Sequence, residues 1–130
     1  MNTIEANQII HGQLARLGEY DRSPHFFPEN KNFVEKLFHL FFENSGINEE
    51  FALSDCLDLG CGTGFMFEIL KRLKFKNYTG IDITEDMLKV FEKKYPEANK
   101  MLGNASSLHF EDSSFTLVSN YFQYADTFLH

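Results

Sequence analysis

Apolar residues recur along this chain with two different periods. Ile10, Leu14 and Leu17 lie at helical spacing with Gly18 behind them as a C-cap, which predicts a short amphipathic helix. Ser23-Pro24 and Phe27-Pro28 push the residue before each proline out of the α region, so Glu19 to Asn30 reads as a loop. Phe33, Val34, Leu37, Phe38, Phe41 and Phe42 mark one face of a second helix, which Gly46 should end. Ala52 to Leu59 then reads as a strand, followed by a glycine-rich turn and a helix from Phe65 to Leu73 with Met66, Ile69, Leu70 and Leu73 inward. A second strand covers Tyr78 to Ile83. Thr84 is placed to cap the helix behind it, with Glu85 and Asp86 in the first turn and Pro96 past the end. Asn99 to Leu102 and Phe115 to Asn120 are the third and fourth strands.

Short strands that alternate with helices call for a parallel sheet covered by helices, an α/β fold. No internal repeat, low-complexity tract or linker divides the chain, and 130 residues with 43% apolar content suit one compact domain. Within it, residues 1–46 form a helical segment with a lid loop, and residues 47–130 form a βαβ core. The 15 Phe, with no Trp, are read as packing volume rather than a ligand box.

A formal charge of −7 argues against nucleic acid, whose phosphates need a basic face. Lys71, Arg72, Lys74 and Lys76 are a local basic run, read as the solvated C-terminal end of a helix where cations suit the dipole. Cys56 and Cys61 flank a tight turn and are poorly placed for a disulfide, which favours a reducing cytoplasm. Met1 to Ile10 lacks the features of a secretion signal, and no apolar run reaches the ~18 residues of a membrane span. His11, His25, His39, His109 and His130 show no ligand spacing, so no metal is expected.

The chemistry concentrates in Asp58-Leu59-Gly60-Cys61-Gly62-Thr63-Gly64, between a strand and a helix. Glycines there let the backbone turn sharply and approach a ligand closely, although glycine-rich turns also serve geometry alone. A dinucleotide turn wants G-x-G-x-x-G, but here the third glycine comes one place early and Phe65 fills the reserved slot. Asp58 would also repel a pyrophosphate. S-adenosylmethionine, with a sulfonium and an ammonium group, suits that carboxylate better than NAD. A P-loop is excluded because no Gly-Lys-Ser/Thr closes the turn. Asp82, ending the next strand, can accept hydrogen bonds from both hydroxyls of a ribose; a helix-capping role is the competing reading.

Cys56 to Gly64 resembles the first motif of the class I S-adenosylmethionine-dependent methyltransferases. Gly80-Ile81-Asp82-Ile83-Thr84-Glu85-Asp86-Met87-Leu88 is similar to their second. Gly103-Asn104-Ala105, then Leu108 to Phe115, resembles the third motif and the approach to the fourth strand. The likeness covers Ala52 to Tyr121. It implies a Rossmann-like sheet with these four strands in the order 3-2-1-4, part of a seven-stranded fold. It also implies S-adenosylmethionine as cofactor, with Asp58 orienting the methionine end and Gly60, Cys61, Gly62, Thr63 and Gly64 lining the turn. Asp82 would hold the ribose, Ile83 and Met87 would flank the adenine, and Asn104 and Ala105 would meet its edge. Asn120 and Tyr121 would stand where the family places the methionine part and the acceptor. Tyr20 is a candidate lid residue.

Two positions depart from that pattern. Asn104 stands where the family usually has an acid, and can accept from the adenine amino group only without charge assistance. Thr116 replaces a common Asp, which the sequence does not explain. Ser119-Asn120-Tyr121-Phe122 also lacks the Asn/Asp-Pro-Pro-aromatic motif of base- and amide-methylating relatives, leaving a small-molecule acceptor by elimination. No general base is assigned. The fourth strand would be an open edge, covered by chain beyond His130, by a partner or by a second copy. Phe128-Leu129-His130 ends mid-segment without a stop signal, which favours a truncated chain. The rival to an enzyme is a catalytically silent module that binds the cofactor or only keeps the fold.

Overall fold

In the computed structural model, residues 28–104 and 114–120 are described, together with positions 5, 107 and 110. The expected first helix, Tyr20, Ala105, Tyr121 and the C-terminal segment lie outside them.

Helix α1 spans Pro28–Ser45. The loop expected through Asn30 therefore ends earlier: proline suits a first helical position, where its missing N–H has no partner to lose, and Glu29 faces the positive end of the helix dipole. Gly46, at φ 72°, stops the helix as expected. The expected apolar face is only partly inward. Val34 and Phe42 are buried and Phe38 packs beside the core, whereas Phe33, Leu37 and Phe41 are exposed, Phe33 to 60%. The short helix α2, Glu49–Ala52, replaces the start of the expected strand. Asn48 caps it, its Oδ1 accepting from the Phe51 N–H at 2.9 Å.

Strand β1, Asp55–Leu59, leads through the glycine turn into α3, Phe65–Arg72, then β2, Asn77–Asp82, and α4, Glu85–Lys94. Strands β3, Lys100–Leu102, and β4, Leu117–Ser119, complete the described sheet. All pairings are parallel in the order β3-β2-β1-β4, as expected. In register, Cys56 and Asp58 lie beside Tyr78 and Gly80 on one side and beside Leu117 and Ser119 on the other.

Met66, Ile69, Leu70 and Leu73 are buried as expected, but so are Phe65 and Phe67. Helix α3 is enclosed on more than one face. Phe67 sits amid Tyr78, Tyr95, Phe75 and Phe91 with ring centroids 4.9 to 5.7 Å away, distances at which tilted and edge-to-face aromatic contacts add to burial. Helix α1 clasps α3 through ion pairs of Lys31 with Glu68 and of Glu35 with Arg72, which also meets Glu68 of its own helix. Lys71, Arg72, Lys74 and Lys76 are exposed, and Lys71 meets Glu97.

The structure also accounts for Thr116. Its Oγ1 donates to the Ala52 carbonyl at 2.9 Å and accepts from the Asp55 N–H at 3.0 Å, while its own N–H reaches the Asp55 carbonyl at 2.8 Å. One hydroxyl fastens the entry of β4 to the entry of β1.

Among the described residues, no helix is long and apolar enough to cross a membrane, and no group of His, Cys, Asp or Glu is arranged to hold a metal ion.

Candidate functional site

Chain order places the site. After β1 the connections run outward through β2 to β3, whereas β4 lies on the other side of β1. Loops at the C-terminal end of β1 therefore diverge and leave a crevice, the place where open α/β sheets take ligands.

The glycine turn stands at that end. Gly60, Gly62 and Gly64 have φ of 70°, 56° and 102°, in the left-handed region that other residues rarely adopt. The N–H groups of Gly60 and Cys61 both donate to the Ile81 carbonyl, at 2.8 and 3.0 Å, so the turn bends over the end of β2. Gly64 has a second requirement. A Cβ there would meet the Phe91 and Tyr95 rings at 3.1 Å, so its smallness admits α4 against α3 rather than a ligand.

Asp82 fastens the turn from the other side. Its Oδ2 accepts from the Gly62 N–H at 2.9 Å, its Oδ1 accepts from the Thr84 N–H at 2.8 Å, and its backbone carbonyl takes the Gly103 N–H at 2.9 Å. Thr84 occupies the N-cap position of α4, but its side chain makes no capping bond, which corrects the expectation. Asp82 accepts instead from the N–H of Thr84 itself, fixing the turn that leads into the helix. This role and ligand binding are compatible here, because each carboxylate oxygen has further acceptor capacity and the residue remains partly exposed.

Asp58 sits beneath the turn, 2% exposed, its Oδ2 accepting from the Tyr78 hydroxyl at 2.7 Å. Burial pushes its carboxyl from the ordinary 3.8 up to about 7; the Tyr78 hydrogen bond opposes that rise and the Asp82 carboxylate adds to it. Cys61 is buried with its sulfur toward Gly80, and burial, then the charges of Asp58 and Asp82, hold its thiol well above the usual range. It is therefore no thiolate nucleophile.

Tyr78 and Gly80, to which motif reading gives no role, shape this space. A Cβ at residue 80 would stand 2.8 Å from the Tyr78 hydroxyl and 2.9 Å from the Cys61 sulfur, so only glycine lets both groups occupy this space. The available signal was a glycine inside a strand, which often marks a close approach.

Of the other expected residues, Thr63 and Met87 are buried, while Ile83, Asn104 and Asn120 are partly exposed. Ile83 follows β2, Asn104 follows β3 and Asn120 follows β4, so the topology brings them to the same edge. Two carboxylates and no basic side chain in residues 58–64, 80–84 and 103–104 make this edge unfavourable for a pyrophosphate and suited to a cation. The positive-φ turn and that donor set fit an adenosyl ligand bearing a sulfonium.

The sequence pattern of a methyltransferase domain family matches residues 57–126. This chain belongs to that family. The methyltransferase domain is 35% identical, over 63 residues, to the demethylmenaquinone methyltransferase of Chlorobaculum tepidum, a match that covers 48% of this chain and 26% of that protein. Among solved structures it resembles the PH0226 protein of Pyrococcus horikoshii, with TM-score 0.57 and 28% identity over 77% of this chain and 49% of that one. An S-adenosylmethionine-dependent methyltransferase of Mesorhizobium loti shares the fold, with TM-score 0.50 and 23% identity over 58% and 35% of the two chains. The matched region thus spans well under two thirds of these relatives. Their common fold is the Rossmann-like sheet expected from the motifs.

Proposed function

We propose that this methyltransferase domain binds S-adenosylmethionine at the C-terminal edge of β1 and β2 and serves transfer of its methyl group to a small-molecule acceptor. The observation that carries the reading is the acidic glycine turn at the chain reversal, pinned to Asp82, in a member of this family. The relatives named for methylation of demethylmenaquinone support a small acceptor.

When bound, the cofactor supplies an electrophilic methyl group, and the protein's contribution is mainly positioning. Asp58 stabilises the cationic methionine end from below, and Gly60, Cys61, Gly62, Thr63 and Gly64 form the wall of the turn. Asp82 keeps the turn in shape while accepting from the ribose hydroxyls. Ile83 would flank the adenine, as would Met87, buried in the first turn of α4; Asn104 and Ala105 would meet the adenine edge, and Asn120 would border the methionine part. Tyr20, outside the described residues, would serve as a lid residue. Two buried free thiols suit the cytoplasm, where we place the protein.

Calorimetric titration of the chain with S-adenosylmethionine and with NAD tests the assignment. Saturable heat is expected with the first and none with the second. Silence with S-adenosylmethionine, or tighter binding of NAD, overturns it.

A further inference from the structure

Beneath the glycine turn lies a buried polar pair that the family pattern leaves unassigned. The Tyr78 hydroxyl donates to Asp58 at 2.7 Å, in a space kept open by the missing Cβ of Gly80. The Tyr78 ring is held among Phe67, Phe75 and Phe91, so the hydroxyl has little freedom to point elsewhere. The Asp58 carboxyl is shut from water, so its charge depends on what stands around it.

Among the described residues those surroundings are few. Cys56 on β1 and Cys61 in the turn are neutral thiols, because burial first, and the neighbouring carboxylates after it, raise both. From β2 come Tyr78 and, at the strand end, Asp82. From β3, the Lys100 charge reaches Cys61 but is engaged with Glu92 of α4 and with the Tyr95 and Ala98 carbonyls. Helix α3 brings Glu68, which turns away to Lys31 and Arg72, and β4 brings Ser119, which does not ionise. Tyr78 is thus the group that donates directly to the Asp58 carboxylate.

We propose that Tyr78 is a positioning residue for the cationic end of the cofactor: it holds the Asp58 carboxyl against the underside of the turn and favours its ionised form, so that ligand binding releases the Asp58 proton to solvent. The inference rests on the reading that this turn takes S-adenosylmethionine. A cation arriving above Asp58 favours the carboxylate, so affinity rises with pH until the ligand-free carboxyl is already ionised. Removing the Tyr78 hydroxyl withdraws a hydrogen bond that only the charged form fully uses, and the same curve moves to higher pH.

The test is S-adenosylmethionine affinity from about pH 5.5 to about pH 7.5, below the range where the ligand's own amino group mainly titrates. Wild type, Tyr78→Phe and Asp58→Asn are compared as full chains. Wild-type affinity should climb and begin to level near neutrality. Tyr78→Phe, which keeps the ring packing, should follow the same curve displaced upward by about one pH unit, binding roughly tenfold more weakly at pH 6 and only threefold more weakly at pH 7.5. Asp58→Asn should bind weakly with no slope. A Tyr78→Phe curve that coincides with wild type, or runs parallel at a constant offset as a packing defect would, overturns the proposal. So does a slope that survives in Asp58→Asn. Absence of wild-type binding at every pH overturns the functional reading itself, a different outcome.

Discussion

At pH 8, ligand-free Asp58→Asn is expected to be more stable than wild type by on the order of 2–4 kcal/mol, and near pH 4 the two should converge. The folded carboxyl titrates at about 7 against an ordinary 3.8, so the native state keeps its proton longer than the unfolded chain does. Stability contributed by this group is fully present below about pH 4 and is lost as pH rises through 7. Wild type at pH 8 therefore carries a buried carboxylate that asparagine does not. Two effects compete. The Tyr78 hydrogen bond to a charged acceptor offsets roughly 1.5–3 kcal/mol, but burial beside Asp82 costs several kcal/mol and wins. Asparagine retains an oxygen for the Tyr78 hydroxyl. Thermal unfolding at the two pH values measures the effect, and a less stable Asp58→Asn at pH 8 would show that the carboxylate is well solvated by its surroundings. The gain should come with weaker cofactor binding, as when a site holds charge at the expense of the fold.

Asp82→Ala should act in both respects at once. The Gly62 and Thr84 N–H groups lose their acceptor, and an unmet backbone donor in a partly buried site costs about 1–3 kcal/mol. Urea unfolding of the ligand-free chain should show a loss of about 2 kcal/mol, since water can reach part of the site. Cofactor affinity should fall by a further ~10- to 100-fold, because the ribose loses its acceptor and the turn its anchor. Stability lost with affinity unchanged would leave Asp82 a staple of the turn only. Affinity lost at full stability would make it a pure ligand contact, contrary to its two backbone bonds.

The strands and the glycine turn were legible because strand, turn and helix signals fall in sequence and each is local, whereas the sheet order followed only from the family resemblance. Asp58 was recognised as the informative acid, yet its burial was not, because the face a strand residue presents to its neighbour depends on register. Tyr78 was missed for the same reason: only the pairing of Cys56 with Tyr78 and of Asp58 with Gly80 brings its hydroxyl to the carboxyl. Thr84 stands at the N-cap by residue type and position, but its side chain makes no capping bond, and its own N–H is held by Asp82. In α1 the apolar periodicity was real, although α3 offers a narrow seam that buries Val34 and Phe42 and leaves Phe33 and Phe41 outside. The width of a partner surface is not written in a helix's own periodicity. Ala52 was assigned to a strand because an apolar residue precedes β1, whereas the Asn48 cap turns that segment into a helix.

The structure also carries a competing concavity, a cavity of about 730 Å³ lined by Asn48, Phe51, Ser54, Lys74, Phe75 and Lys76 at the opposite, N-terminal end of β1 and β2. Amide NMR of the labelled chain titrated with S-adenosylmethionine separates the two places. Shifts should concentrate at Gly60 to Gly64, Asp82, Ile83 and Gly103, with Asn48 to Ser54 and Lys74 to Lys76 unmoved. Shifts centred on that second set, or none anywhere at saturating ligand, would contradict the placement of the cofactor on the glycine turn.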